Sequence, residues 1–267
     1  MVRVISFGNF AGGVGKSTVT AVIGYLLASK RNKRTLILDD DAQGNATGDL
    51  IEATFPDHVR QTRGLPDVYE RGNTIGAISH ANDYLDYIWN DARIEKVGTA
   101  GERVPESERG IILAKAIAPI ADQYDYILID LPPASANLTS TNALIMSDYV
   151  VAPTQMTTKG RRNTSKFISI LQSLAATGQT HYELVGILLY MLFPTSANDD
   201  AHAEQMRETF GTALMENDIK YRKRVEAYFE NGITDRPKNN WDQNALKMYS
   251  DVLDEMLERI SIIEKSE

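Results

Sequence analysis

The sequence predicts an α/β fold, a mostly parallel, twisted sheet with helices on both faces. Three observations carry that expectation. Short, nearly all-apolar runs rich in β-branched residues recur along the chain, as strands buried on both faces require. Segments with apolar residues at helical spacing lie between them, the alternation that builds parallel sheets. Glycines or acids stand where several of the runs end, and open parallel sheets gather their ligands at those strand ends.

The first run, Val2 to Phe7, stops at Gly8. Beyond a glycine-rich stretch, Ser17 to Ser29 sets Val19, Val22, Ile23, Leu26 and Leu27 on one helical face. The basic Arg31-Asn32-Lys33-Arg34 segment closes that helix at the negative end of its dipole. Arg34 to Asp39 reads as a second buried strand ending in acids, and Tyr126 to Ile129 as another that stops at Asp130. Tyr149 to Ala152 and Leu184 to Leu192 repeat the pattern, with helical segments such as Arg162 to Ala176 between runs. In the last segment, Asp242 to Ile262, the residues Leu246, Tyr249, Leu253, Met256, Leu257 and Ile260 line up near one face with acids opposite, as an edge or capping helix would. Glu52 to Glu108 is polar and poorly periodic and yields no assignment. With no internal repeat, low-complexity tract or linker, a single domain over residues 1–267 is expected.

Composition narrows the chemistry. Among 267 residues, 28 Lys and Arg face 36 Asp and Glu, a net charge of −8, and there is no cysteine. Thiolate-held zinc, iron–sulfur clusters bound by the chain and cysteine nucleophiles are therefore excluded. A chain of this length folds without disulfides. The opening MVRVISFGNFAGGVGKST predicts no export signal, and no run of about 18 apolar residues predicts a membrane span, so a cytoplasmic location is expected. His58, His80, His181 and His202 are too widely spaced to suggest a metal or catalytic set, and Trp89 and Trp241 read as packing residues.

The segment Ala11, Gly12, Gly13, Val14, Gly15, Lys16, Ser17 and Thr18 lies between a strand and a helix, the context in which a glycine-rich loop holds polyphosphate. Without β-carbons, the glycines let backbone N–H groups converge on one anion. The helix N-terminus adds its positive dipole end. Lys16 carries a mobile charge to the β- and γ-phosphates, and Ser17 offers an oxygen to Mg²⁺. The strict G-x-x-x-x-G-K-[ST] pattern would place its first glycine at Phe10, so the loop is a variant. Asp130, closing Ile127-Leu128-Ile129, is the natural second carboxylate for the metal. ATP and Mg²⁺ are the expected cofactors.

Several motifs in order carry a resemblance. Gly12 to Thr18 matches a phosphate loop. Asp39-Asp40-Asp41-Ala42-Gln43-Gly44-Asn45-Ala46-Thr47 is similar to D-x-D-P-Q-G-N-A-T, and Tyr124 to Pro133 is similar to Y-D-Y-I-x-I-D-x-P-P. Thr141 to Leu144, Ala152 to Gln155 and Gly186 to Met191 continue the likeness. The chain thereby resembles the ParA/MinD family of deviant Walker ATPases, P-loop NTPases, and most of all the ParA-type plasmid and chromosome partition ATPases. The resemblance implies an ATP-dependent sandwich homodimer that binds duplex DNA without sequence preference. It also implies stimulation by a ParB-like or other centromere-binding adaptor, and a nucleoid-associated location. It assigns Lys16 to the phosphates, Asp41 to the attacking water, Ser17 and Asp130 to Mg²⁺, and Asp39 to the loop or the metal's waters. Tyr190, Met191 and Pro194 fall where relatives hold adenine. Asp40 is uninformative, because the family accepts many residues there.

One departure matters. The lysine that opens the family's K-G-G-x-G-K-[ST] falls on Ala11, and in relatives that lysine reaches the partner's nucleotide. A methyl group there removes a positive charge from the place where negative charge develops, so ATP binding is expected to persist while hydrolysis is strongly impaired. Two basic clusters are expected to meet DNA phosphates: Lys220, Arg222, Lys223 and Arg224, and Arg161 and Arg162 flanked by Lys159 and Lys166. Two other readings use the same loop. A MinD-like positioning ATPase would need a basic amphipathic C-terminus, which DVLDEMLERISIIEKSE does not supply; a small-molecule ATP-dependent ligase or kinase would not need DNA.

Overall fold

Apolar side chains alternate to the two faces of each central strand, so each strand buries one set under each helical layer. A computed structural model of the chain describes residues 1–41, 46–98, 104–133, 137–192 and 197–266. Among these, strands β1 (Arg3–Phe7), β2 (Thr35–Asp39), β3 (Ser79–His80), β4 (Leu85–Ile88), β5 (Tyr126–Asp130), β6 (Tyr149–Thr154), β7 (Glu183–Leu192) and β8 (Ile219–Lys220) form one sheet. Their order is β3-β4-β2-β5-β1-β6-β7-β8, and every neighbouring pair is parallel except β3 with β4. The expected α/β class is observed. Strand β1 lies between β5 and β6, with β2 on one side of it and β7 on the other. Successive strands therefore diverge from β1, and a crevice opens above its C-terminal end.

On one face, Ile5, Phe7, Ile37, Leu128 and Val151 pack under α1 (Lys16–Tyr25) and the long C-terminal helix (Asn240–Ser266), through Val22, Ile23, Tyr249 and Leu253. On the other, Val4, Leu36, Leu38, Ile127, Ile129 and Val150 meet Leu65, Val68, Leu113, Ala143 and Phe167. These belong to α3 (Leu65–Arg71), α4 (Ile112–Ile117), α5 (Leu138–Met146) and α6 (Thr158–Ala175). Odd and even residues of β1 divide between the two cores, as a period of two dictates. Further α-helices are α2 (Ala46–Thr54), α7 (Ala197–Phe210), α8 (Lys223–Glu226) and α9 (Tyr228–Asn231), and the C-terminal helix is α10.

The stretch that the sequence leaves unassigned contains α3, β3, β4 and a 3₁₀ turn at Ala92–Lys96. These pieces are too short to establish a period; β4 is only LDYI. Trp89 is a packing residue as expected, with the Arg60 guanidinium 3.9 Å from its ring centroid. Trp241 is not. It is 73% exposed, because it stands in the first turn of α10 to the side of the buried stripe formed by Asp242, Ala245, Leu246 and Tyr249.

Arg259 fastens α10 to the sheet edge. Its guanidinium donates to the carbonyls of Val185 (3.3 Å), Thr212 (2.9 Å) and Leu214 (3.0 Å), while Nε reaches Glu255 at 2.9 Å. One planar fork thus engages three backbone acceptors at once. Arg259→Ala is expected to lower stability by about 2 kcal/mol, and Arg259→Lys to recover little, since a point ammonium cannot span the three sites. Thermal denaturation checks this; an unchanged midpoint for the alanine variant would remove the fastening role.

Candidate nucleotide site

The loop between β1 and α1 is shaped by two left-handed glycines. Gly13 has φ 73° and Gly15 φ 84°, a region that strains any residue with a β-carbon. Gly15 is constrained a second time, since a Cβ there would lie 2.2 Å from the Tyr190 ring. Tyr190, buried near the end of β7, is thus the floor against which the loop rests. Asn9 braces the loop from within: its Nδ2 donates to the Pro153 carbonyl (2.8 Å) and to Thr164 Oγ1 (3.0 Å), and its Oδ1 accepts from the Ala11 amide (3.3 Å). Gln155 Nε2 donates to the Gly13 carbonyl at 3.4 Å. The Lys16 ammonium is largely buried and donates to the Ala11 carbonyl at 3.4 Å, folded back over the loop it serves.

Below the loop lie two acids. Strands β2 and β5 pair in register so that Asp39 is opposite Asp130, and both carboxylates are buried. Thr47 Oγ1 donates to Asp130 Oδ2 at 2.7 Å, while the amides of Gly48 and Asp41 donate to Asp39 at 3.2 Å each. Among the described residues, Asp130 Oδ1 is buried with no hydrogen-bond partner. Burial pushes Asp130 up to about 6, opposed by Ser17, Thr47 and the Lys16 charge. Burial raises Asp39 well above the carboxylate range, and the neighbouring Asp130 charge adds to that. Such a pair is short of positive charge, which a divalent cation beside Ser17 would supply.

A hollow of about 480 Å³ opens above these groups. It is lined by Gly12, Gly13, Gly15, Lys16, Ser17, Thr18 and Asp41 with Tyr190 and Met191, whereas Ala11, grouped with them in the sequence, is not part of the lining. Val14 does not join them by its side chain, which is buried because the loop turns it inward. Asp39 and Asp130 end strands on the other side of β1 from Tyr190 and do not line the hollow. Pro194 lies outside the described residues, as do Ala42, Gln43, Gly44 and Asn45 of the acidic motif. Sequence reasoning missed Asn9, Thr47 and Phe229 as parts of the site. Asn9 is a single buried polar residue beside the loop, Thr47 closes the acidic motif without a role assigned to it there, and Phe229 reaches the hollow from a distant helix with no local signal.

The basic clusters divide. Lys220, Arg222 and Lys223 are exposed around β8 and the start of α8. Arg224 is not available in the same way: its Nε pairs with Asp242 at 2.6 Å, and Asp242 also holds Arg236 at 2.7 Å. The buried carboxylate draws Arg224 inward, so the expectation that all four cations face a ligand is corrected at that residue. Half-buried Arg161 and exposed Arg162 border a shallow depression on α6 together with Lys166. Arg161 and Arg162 stand at the N-terminal end of α6, whose first turn contains no acid to offset them.

A family profile described as an AAA domain matches residues 2–184. The sporulation initiation inhibitor protein Soj of Bacillus subtilis is 33% identical over 198 residues, which is 72% of this chain and 74% of Soj. The chromosome partitioning protein ParA of Myxococcus xanthus is 32% identical, over 80% of this chain and 74% of that protein. Among solved structures, an ATP complex of McdA from Cyanothece matches with a TM-score of 0.81 at 19% identity, over 96% of each chain, a likeness of fold alone.

Asp40 is buried, and among the described residues neither of its carboxylate oxygens has a well-formed hydrogen bond; burial, with the Asp39 charge, raises its carboxyl well above the ordinary range, and the nearby Thr139 hydroxyl offsets only part of that. A buried unsatisfied carboxyl is destabilising whichever protonation state it adopts. Asp40→Leu, of similar size, is therefore expected to raise the thermal midpoint, by about 1 to 2 kcal/mol of stability. A lower midpoint would show that Asp40 is held by something its surroundings do not reveal.

Proposed function

The chain belongs to the ParA/MinD family of Walker ATPases, and we propose that it is a ParA-type partition or positioning switch. In this reading it binds ATP with Mg²⁺, closes as a homodimer around the nucleotide and holds duplex DNA without reading its sequence. One observation carries it: a left-handed glycine loop sets Lys16 and Ser17 at the start of α1, over the paired carboxylates of Asp39 and Asp130. The donor set fits Mg²⁺, since Asp130 Oδ1 is an orphaned buried oxygen and Ser17 is its neighbour. Ser17 and Asp130 would hold the ion, with Asp39 behind them; when bound, it neutralises charge on the phosphate oxygens.

The chain's own groups do the rest. Backbone N–H groups from Gly12 to Ser17 would face the phosphates, and Lys16, which donates to the Ala11 carbonyl, can swing to them. Asp41 borders the hollow at the end of β2, where a carboxylate can accept a hydrogen bond from a water and orient it. Position 11 contributes only a methyl group, so no cation leaves this loop for a partner's nucleotide, and hydrolysis is slow while binding persists. DNA contact falls to Lys220, Arg222 and Lys223, with Arg161 and Arg162 as a second footing; dimerisation doubles whichever lies on the shared face. A ParB-like adaptor that quickens turnover completes the cycle. Among the described residues no helix is long and apolar enough to cross a membrane.

Ala11→Lys is expected to raise steady-state ATP turnover by roughly tenfold or more. An unchanged rate would refute the part assigned to position 11, whereas loss of ATP binding in Lys16→Ala tests the loop itself.

The double variant Arg222→Ala, Lys223→Ala should weaken duplex DNA binding and flatten its dependence on salt by about two counterions, with no change in melting temperature. Arg224→Ala should instead lower the melting temperature, because it strips a partner from buried Asp242. Arg236 above all holds the Asp242 carboxyl below its ordinary range. The clamp's stability is therefore complete above the ordinary carboxylate range and lost as pH falls through the depressed value. Equal DNA affinity of the double variant and the wild type, in a filter or anisotropy titration, would remove this surface from the DNA assignment.

A further inference from the structure

We propose that a small hollow between α5 and α6, on the face of the sheet opposite α1, binds an uncharged molecule with one apolar ring and one carbonyl group, and that its occupant acts on the phosphate loop from behind. The site shares no lining residue with the nucleotide hollow and does not rest on the nucleotide reading. Its volume is about 290 Å³, at the small end of ligand cavities. Leu131, Pro132, Leu144, Phe167, Ile170 and Leu174 supply its apolar walls, and among the described residues no charged side chain lines it.

One polar group in the lining is unspent. Ser140 is 6% exposed, and among the described residues its Oγ has no hydrogen-bond partner. A buried hydroxyl in that condition forfeits free energy that an acceptor brought by a ligand restores. The other hydroxyls of the lining are engaged or wet. Ser173 Oγ donates to the Ser169 carbonyl at 2.8 Å and Thr177 Oγ1 to the Leu174 carbonyl at 2.7 Å, while Thr141 is partly exposed. A carbonyl oxygen complements Ser140, and an apolar ring complements the walls. A small molecule fits here better than a protein surface does. Among the described residues no large, exposed apolar side chain lies on α5 or α6, so the recess lacks the surrounding apolar patch that a docking protein would cover.

The walls lead to the phosphate loop. A Cβ at Gly8 would come 2.6 Å from the Phe167 ring and 2.8 Å from Leu131 Cδ1, so both side chains rest on the backbone where β1 gives way to the loop. The Leu131 amide donates to the Phe7 carbonyl and the Gly8 amide to the Val151 carbonyl, each at 3.0 Å, which ties the strand end to both neighbours. One turn before Phe167, Thr164 accepts from the Asn9 amide group that braces the loop. An occupant that displaces Phe167 or Leu131 therefore presses on Gly8 and Asn9, because close-packed side chains transmit a shift to what they touch. Leu131 also follows Asp130 directly, so the same wall adjoins one of the paired acids.

NMR titration of the nucleotide-free full chain with acetophenone, and with α-methylstyrene, in which a methylene replaces the carbonyl oxygen, tests the site. Both probes should give saturable methyl shifts at Leu131, Leu144, Ile170 and Leu174, accompanied by shifts of the Gly8 and Asn9 amides. Ser140→Ala should weaken acetophenone roughly fivefold and leave α-methylstyrene within about twofold. Ile170→Trp, which fills the hollow from its half-exposed rim, should abolish both without lowering the melting temperature. No saturable wall shift with either probe, equal weakening of both in Ser140→Ala, or wall shifts that persist in Ile170→Trp would overturn the site. Wall shifts that follow protein concentration without any probe would make the hollow an interface between copies and overturn it as well. Saturable wall shifts with the Gly8 and Asn9 amides unmoved would overturn the link to the loop.

Discussion

Two carboxylates buried side by side, with too little positive charge to balance them, are the constraint around which this molecule is arranged. Asp39 and Asp130 face each other because β2 and β5 pair in register and both end at the same level. Placing two acids there in a dry site is unfavourable unless something cationic is due to arrive. The surroundings are consistent with that arrival. Thr47 and two backbone amides satisfy some of the oxygens and leave one of Asp130 open, and Lys16 and Ser17 stand directly above. The glycines, the tyrosine floor and the asparagine brace can each be understood as holding that one geometry ready.

Much of this is written locally. The central strands are legible because β-branched apolar runs have no other stable home, and the phosphate loop because glycine, lysine and serine at that spacing between a strand and a helix have few structural uses. Asp130 and Asp39 are legible as strand-terminal acids. What the sequence does not disclose depends on contacts between remote segments. Asn9 is an ordinary polar residue until Pro153 and Thr164 are brought to it, 144 and 155 positions away. Phe229 belongs to the hollow only because Gly232 lets α9 lie against α2. Strands β3 and β8 contain two residues each, too few for periodicity to register. Trp241 misleads for a related reason: large aromatic residues are usually buried, and only the phase of α10 shows that this one is not.

The corrected Arg224 illustrates how charge on a surface should be counted. Four cations within five residues look like one patch in the sequence, yet one of them is neutralised from below by Asp242, which also engages Arg236. The remaining Lys220, Arg222 and Lys223 project from a segment whose position is fixed by that clamp. Removing a surface cation and removing its support are thus different perturbations of one region, and the phenotype of a charge-reversal series there would mix them unless Arg224 is treated separately.

The two tryptophans give the molecule a pair of natural optical probes with opposite surroundings. Trp89 is enclosed, donates its indole N–H to the Gln61 carbonyl at 2.9 Å and lies under the Arg60 guanidinium, while Trp241 stands in solvent on the C-terminal helix. An aqueous quencher such as iodide therefore silences the red-shifted emission of one and spares the blue-shifted emission of the other. Without any label, a single spectrum can separate events at the edge strands near α2 from events at the foot of α10.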